Sequence, residues 1–411
     1  MATMSTPPIH VWFDDGPTER RLVFEGALGP DGPRAETWWR LPEALPAPPV
    51  LDSFVCGHVQ WAAMLGQDLV VHGPMSRGGL QNIGQLIAIR HALSPERYRR
   101  VIDVVPDRIV PAPRPADDPG VAIAAFSGGL DSTFTAVRHA RRLIGDAAYR
   151  VVGLVIVLGF DIPLTRADRF DDVRRRAEPL ARWLDLPLYP VSTNAMHLGG
   201  RAWPQSALPL FGSVLANFSQ QCAVGLASAA APYGTPRFGI SHPTMLDALA
   251  SNEFFTLVSD GGAFGRTDKI EALAAFPEAL DGLRVCWQGS DPASNCGRCE
   301  KCVMTRFNFL AAGMADPRCF DGPLEPSHVA ALSMPSLERV RDLFRTCWNE
   351  LEARGTSGPA VELLRRRLAR VPPDRLLAHL RRVGGVARRL VPARVRHAIH
   401  HRLPGTLRPE A

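Results

Sequence analysis

The feature that most narrows what this chain can fold into is a short apolar run at residues 121–126 that leads directly into Ser127-Gly128-Gly129-Leu130-Asp131-Ser132 and then into a helical pattern over residues 132–143. A short apolar run bounded by turn residues reads as a buried strand. Two adjacent glycines allow positive φ and let the backbone approach a ligand with no Cβ in the way. Their amides, with those that open the following helix, make a concave donor array suited to phosphate oxygens. Ser127, Ser132 and Thr133 add hydroxyl donors, and Leu130 contributes backbone. Asp131 is the informative residue. A carboxylate beside a polyphosphate is repelled unless a cation lies between them, which calls for Mg²⁺ bridging protein and nucleotide. The Gly-Lys-Ser/Thr ending of a Walker A loop is absent, which disfavours the kinase or motor chemistry that uses that lysine.

The pattern around this loop alternates. Residues 151–158 read as a second strand, 167–184 as a second helix and 186–191 as a third strand. A small-residue helix is expected over 212–231, with further strands at 237–241 and 255–258. Strands alternating with helices predict a parallel sheet covered on both faces, with ligands at the carboxyl ends of its strands. Upstream lie a strand-like stretch at 9–13, a Pro-rich passage at 41–50 and helical patterns at 53–65 and 80–92, none of them with a catalytic signature. Residues 110–120 have the composition of a linker. Beyond about residue 321 the chain turns helical and then Arg-rich. The expected organisation is an N-terminal α+β extension (1–115), a nucleotide-binding domain (116–320) and a helical C-terminal extension (321–411).

The net charge of +6 is unevenly spread. From residue 361 onward, arginines face only Glu362, Asp374 and Glu410, so a basic tail follows a mildly acidic body. That argues against a nucleic-acid footprint over the whole chain. Leucines at helical spacing in the tail point to packed helices with an Arg face, a dock for an acidic carrier protein. The tail lacks aromatic residues for base stacking, which disfavours RNA. Lys269 and Lys301 are the only lysines among 47 cationic side chains, and a position that keeps Lys in such a background can require a compact ammonium. No apolar run approaches the roughly 20 residues of a membrane helix. With no secretory signal in view, a cytoplasmic location is expected.

Four of the eight cysteines fall in one segment, Cys286, Cys296, Cys299 and Cys302. Thiolates at these spacings can close a tetrahedral structural site, with zinc favoured over an iron–sulfur cluster. Cys56, Cys222, Cys319 and Cys347 read as buried thiols.

Loop and setting together resemble the N-type ATP pyrophosphatase (PP-loop) superfamily, whose loop reads Ser-Gly-Gly-x-Asp-Ser. Loop plus cysteine cluster resemble the 7-cyano-7-deazaguanine synthase family, over roughly residues 121–313. The resemblance implies a Rossmann-like, five-stranded parallel sheet of the adenine nucleotide alpha hydrolase type. It also implies cleavage of ATP between the α- and β-phosphates, with Zn²⁺ in the four-cysteine site. Lys269, in Gly265-Arg266-Thr267-Asp268-Lys269-Ile270, lies where that family has a lysine before a short helix, and would reach the phosphates or the adenylate. The family has neither the first 115 residues nor the basic tail, so a relative acting on another acid is expected.

The expected activity is an ATP-dependent ligase. Asp131, Ser132 and Lys269 serve catalysis; Ser127, Gly128, Gly129, Leu130, Asp131, Ser132 and Thr133 hold ATP–Mg²⁺. A small-molecule carboxylate attacks the α-phosphorus, pyrophosphate leaves, and ammonia or an amine completes an amide or nitrile. An RNA sulfurtransferase and a non-catalytic ATP-binding regulator are the competing readings, and a homodimer is admissible. Asp161 and His242 follow strands at the ligand edge, and Arg201 and Trp203 precede the small-residue helix; each also reads as an ordinary loop residue.

Overall fold

The computed structural model describes residues 7–112, 120–198, 206–229, 232–233, 244–286, 288–289, 294–333 and 341–370. Two compact units make up the chain, Met1–Leu324 and Glu325–Ala411.

The first unit opens with β1 (Ile9–Asp15), β2 (Glu19–Glu25), β3 (Arg34–Arg40), α1 (Asp52–Leu65), β4 (Leu69–Ser76), α2 (Arg77–Leu93) and β5 (Val104–Val110). It continues with β6 (Val121–Ala125), α3 (Leu130–Ala140), β7 (Arg150–Leu158), α4 (Ala167–Trp183), β8 (Leu188–Thr193), α5 (Ala207–Leu215) and β9 (Val224–Ser228). Then follow β10 (Thr256–Asp260), α6 (Arg266–Leu273), α7 (Pro277–Asp281) and α8 (Glu300–Ala311). All ten strands join one mixed sheet in the order β10-β9-β6-β7-β8-β3-β2-β1-β4-β5. The protein is therefore α/β, but its sheet is not the expected five-stranded one. Five parallel strands, β10 to β8, form one side of it, and the N-terminal strands continue it past β8.

Burial follows position in the sheet. β1 alternates, with Ile9 and Val11 buried and Trp12 outward, as a strand covered on one face must. β6 and β9 lie between neighbours with both faces covered, so nearly every residue is buried. One apolar cluster joins Ile123 and Val155 to Phe54, Trp61 and Phe218. A second, on alternate residues of the same strands, joins Ala122, Ala124 and Leu154 to Phe134, Leu180 and Phe309.

The segment expected as one helix over 212–231 divides. α5 ends at Leu215, a 3₁₀ turn covers Ala216–Phe218, and Val224–Ser228 is a central strand. A strand buried on both faces has no period-2 alternation to distinguish it from a buried helix. The small residues serve packing, since a Cβ at Gly225 would lie 2.6 Å from the Phe255 ring. Residues 237–241, expected as a strand, lie outside the described residues.

The two sides of the sheet meet where β3 pairs antiparallel with β8, Trp39 opposite Thr193 and Arg40 opposite Ser192. Asn194 extends the seam by accepting from the Trp38 amide (2.8 Å) and donating to the Glu36 carbonyl (3.1 Å). Arg20, fully buried, reinforces it. Its guanidinium donates to Asp15 (2.6 Å), to the carbonyls of Leu45 (2.8 Å) and Pro46 (2.6 Å), and to both oxygens of Asn217 (3.1 Å each).

In the second unit, helices Pro326–Ala330, Arg341–Ala353 and Pro359–Ala369 pack around Val329, Phe344, Leu351 and Leu364. Arg367 donates to the carbonyls of Val329 (2.9 Å), Ala330 (2.7 Å) and Leu332. Most of the Arg-rich tail, from residue 371, lies outside the described residues. Among the described residues, no helix is long and apolar enough to cross a membrane.

Buried charge gives two testable expectations. Arg20→Met should lower stability by about 3 kcal/mol in urea unfolding, because it leaves the buried carbonyls of Leu45 and Asn217 and the buried Asn217 side chain without their donor. Asp52, at the start of α1, accepts from the Ser76 amide and hydroxyl at the head of α2 (3.1–3.2 Å), and burial pushes its carboxyl up to about 6. The folded chain therefore holds an extra proton between the unfolded value of 3.8 and about 6. Its contribution is present below pH ~4 and lost as the pH rises through 6. Asp52→Asn should remove that fall from a series of urea midpoints between about pH 4.5 and 6.5.

Candidate functional site

Strand order reverses at β6, with β7 and β8 on one side and β9 and β10 on the other. In open α/β sheets the crevice at such a switch point, beyond the carboxyl ends of the strands, is where ligands bind. The loop 127–132 lies there, between the end of β6 and the start of α3. Gly128 takes φ +71°, a left-handed conformation that favours glycine. Its carbonyl accepts from the Arg284 amide (2.8 Å). The first-turn amides of α3, which have no intrahelical partner, open onto the same edge.

The hydroxyls hold the loop in shape. Ser132 Oγ accepts from the Ser127 amide (3.2 Å), donates to the Gly129 carbonyl (3.1 Å) and lies 3.2 Å from Ser127 Oγ. Gly129 donates to Ser127 Oγ (3.3 Å). Thr133 faces inward: it is fully buried, and its Oγ1 has no partner among the described residues. Leu130 is also buried, so it offers the site only its backbone.

Asp131 is where charge gathers. Lys269 Nζ donates to Oδ1 (2.8 Å) and Arg266 Nη1 to Oδ2 (2.7 Å). Lys269, 2% exposed, also donates to the Ala229 carbonyl beyond β9 (3.1 Å). Arg266 Nη2 donates to Thr305 Oγ1 on α8 (3.1 Å). Burial pushes the Asp131 carboxyl up, but Arg266, Lys269 and then the more distant Lys301 outweigh it, so the group is held below its ordinary range. Two cations on one carboxylate leave the pocket net positive. Each Asp131 oxygen thus already accepts from one of the chain's own cations. Both lysines of the sequence bear on this one carboxylate.

Arg266 was not singled out from the sequence, although it shares a helical face with Lys269 three residues on. Arg284 was missed too. It lies over the loop, where burial lowers its pKa and Asp161, at the turn after β7, raises it. Asp161 thus lies within electrostatic reach of Arg284. His242, Arg201 and Trp203 lie outside the described residues.

The four cysteines converge. Their sulfurs all lie within 4.8 Å of one another, with Cys286–Cys299 and Cys296–Cys302 each 3.9 Å apart. Four thiolates about 2.3 Å from one tetrahedral ion stand about 3.8 Å apart, so the set fits a single metal ion. Backbone amides already point at the sulfurs, Gly289 at Cys286 (3.2 Å) and Cys299 at Cys296 (3.4 Å), which favours thiolate. The S–H groups of Cys299 and then Cys302 depress Cys286, and the Cys286 thiolate in turn holds the other two up.

Local sequence makes this geometry. Gly297 takes φ +70° between two ligands, and Cys299 caps α8 so that Cys302 falls in its first turn. Asn295 clips the segment shut. It accepts from the amides of Val285 (2.8 Å) and Cys286 (3.1 Å) and donates to the carbonyls of Leu283 and Cys319 (2.8 Å each).

Comparison with protein-family models, with curated proteins and with solved structures found no match.

Cys302→Ser is expected to reduce bound metal to a small fraction of one ion per chain by elemental analysis and to lower Tm. Full metal content in that variant would remove the four-cysteine assignment.

Proposed function

We propose that this chain is an ATP-dependent ligase of the PP-loop kind, which activates a small carboxylic acid as its adenylate. The observation that carries the reading is the convergence of Lys269 and Arg266 on Asp131 beside a glycine loop at the sheet's switch point. Loop amides and the two cations suit the β- and γ-phosphates. The α-phosphorus then lies toward Arg284 and the turn after β7. A carboxylate oxygen of the substrate attacks that phosphorus, the bond to the β-phosphate oxygen breaks, and pyrophosphate leaves with the charge the cations neutralise. Ammonia or an amine next attacks the acyl carbon, forming the C–N bond as AMP departs. Orientation and charge neutralisation supply the acceleration.

Magnesium would arrive with the nucleotide. Asp131 is the loop's carboxylate for it, with each oxygen already accepting from one cation and keeping a second lone pair. The role assigned to Asp131 is to fix Lys269 and Arg266. Zinc is the ion proposed for the four-cysteine site, with all four positions filled by protein and a structural role.

The sulfurtransferase reading needs a reactive cysteine outside the cluster. Cys56, Cys222, Cys319 and Cys347 are buried. Burial pushes the first three thiols up to about 12, 11 and 12, poor settings for a persulfide carrier. No observation favours a silent regulator.

Exchange of labelled pyrophosphate into ATP, measured across a panel of carboxylic acids, tests the proposal. Exchange should depend on one acid and fall by about 100-fold or more in Lys269→Met and Asp131→Ala. Release of ADP and phosphate instead would refute it.

A further inference from the structure

The four-cysteine centre and the phosphate loop are joined by two short routes. The first runs through the backbone, from Cys286 back two residues to Arg284, whose amide holds the Gly128 carbonyl at 2.8 Å. The second runs through side chains. Cys299 and Cys302 fix the start of α8, and one turn on, Thr305 faces α6. Its hydroxyl donates to the Lys301 carbonyl (2.8 Å), which turns a lone pair toward Arg266 Nη2 (3.1 Å). Arg266 in turn holds Asp131. A parallel tie, Asn308 Nδ2 to Thr267 Oγ1 (3.2 Å), fixes the same two helices.

We infer that Thr305 is a positioning residue that couples metal occupancy to nucleotide affinity, by orienting Arg266 for the phosphates. This rests on the nucleotide reading given above. The reasoning is geometric. The Arg266 guanidinium is held at each end, by Asp131 and by Thr305, and its Nε is buried with no hydrogen-bond partner among the described residues. Among the described residues, the direction of the fork is set by its two terminal contacts. One contact is a loop residue; the other is a hydroxyl whose place depends on a helix that the cysteines begin. Thr305 is fully buried, so water cannot substitute for the lost acceptor. Metal bound at the cysteines therefore stabilises the arrangement that receives phosphate, and by linkage nucleotide should strengthen metal retention by the same factor.

The test uses the full-length chain with its metal, and reads ATP–Mg²⁺ binding by calorimetry. Thr305→Val removes the acceptor at nearly constant volume and touches neither a metal ligand nor the loop. It should keep the metal stoichiometry and circular dichroism of the wild type and bind ATP about tenfold more weakly. Thr305→Ser, which restores the hydroxyl, should bind within about twofold of the wild type. Wild-type protein stripped of metal should lose affinity at least as much as Thr305→Val. Unchanged affinity in Thr305→Val, or equal weakening in Thr305→Ser, overturns the coupling. If valine disturbs folding, Thr305→Ala takes its place: tenfold weaker binding supports the coupling and unchanged binding overturns it. A wild type that binds metal but no ATP overturns the nucleotide reading itself, and is recognised before any variant is made.

Discussion

A half-buried carboxylate set at the head of a helix calls for neutralising partners, and much of this molecule is arranged around that need. Asp131 is met by Lys269 and Arg266, one on each oxygen. Both cations come from α6, so α6 must lie against α3. Its position is then held from behind by α8, through Thr305 and Asn308. The start of α8 is a pair of cysteines. Local charge, helix placement and the thiol cluster form one chain of dependence, each link made of a few hydrogen bonds between 2.7 and 3.2 Å.

The second organising constraint is the sheet's continuity. A parallel sheet that ended at β8 would leave a row of unpaired amides and carbonyls beside the ligand crevice. Here β3 pairs with the last two residues of β8, Ser192 and Thr193, and Arg20 fastens that pairing to the turn after α5 through Asn217. The N-terminal residues, silent in catalytic motifs, thereby support the strands that present the loop.

The loop, its flanking strand and helix, and the four cysteines were legible because each depends on local chemistry: glycines where φ is positive, thiols at ligand spacing, an apolar run before a turn. The ten-strand sheet was not. Antiparallel pairing of residues 39–40 with 192–193 spans some 150 positions and leaves no periodic mark on either segment. β9 was misread as helix because burial on both faces erases the alternation that marks a strand. Arg266 and Thr305 escaped notice for a similar reason. An arginine in a chain that uses arginine for nearly every cation, and a threonine inside a helix, carry no signal until the fold sets them 3.1 Å apart.

The seam between β3 and β8 also bears on how such a gene can be divided. The Pro-rich stretch at residues 110–120 invites a cut that would release the parallel half of the sheet, with its glycine loop, as a module. Such a fragment would begin life with β8 as a bare edge, Thr193 and Asn194 reaching for a vanished neighbour, and edges of that kind pair with their own copies. Excision favours clumped or strand-swapped material, because the cut runs through the single compact unit formed by Met1–Leu324.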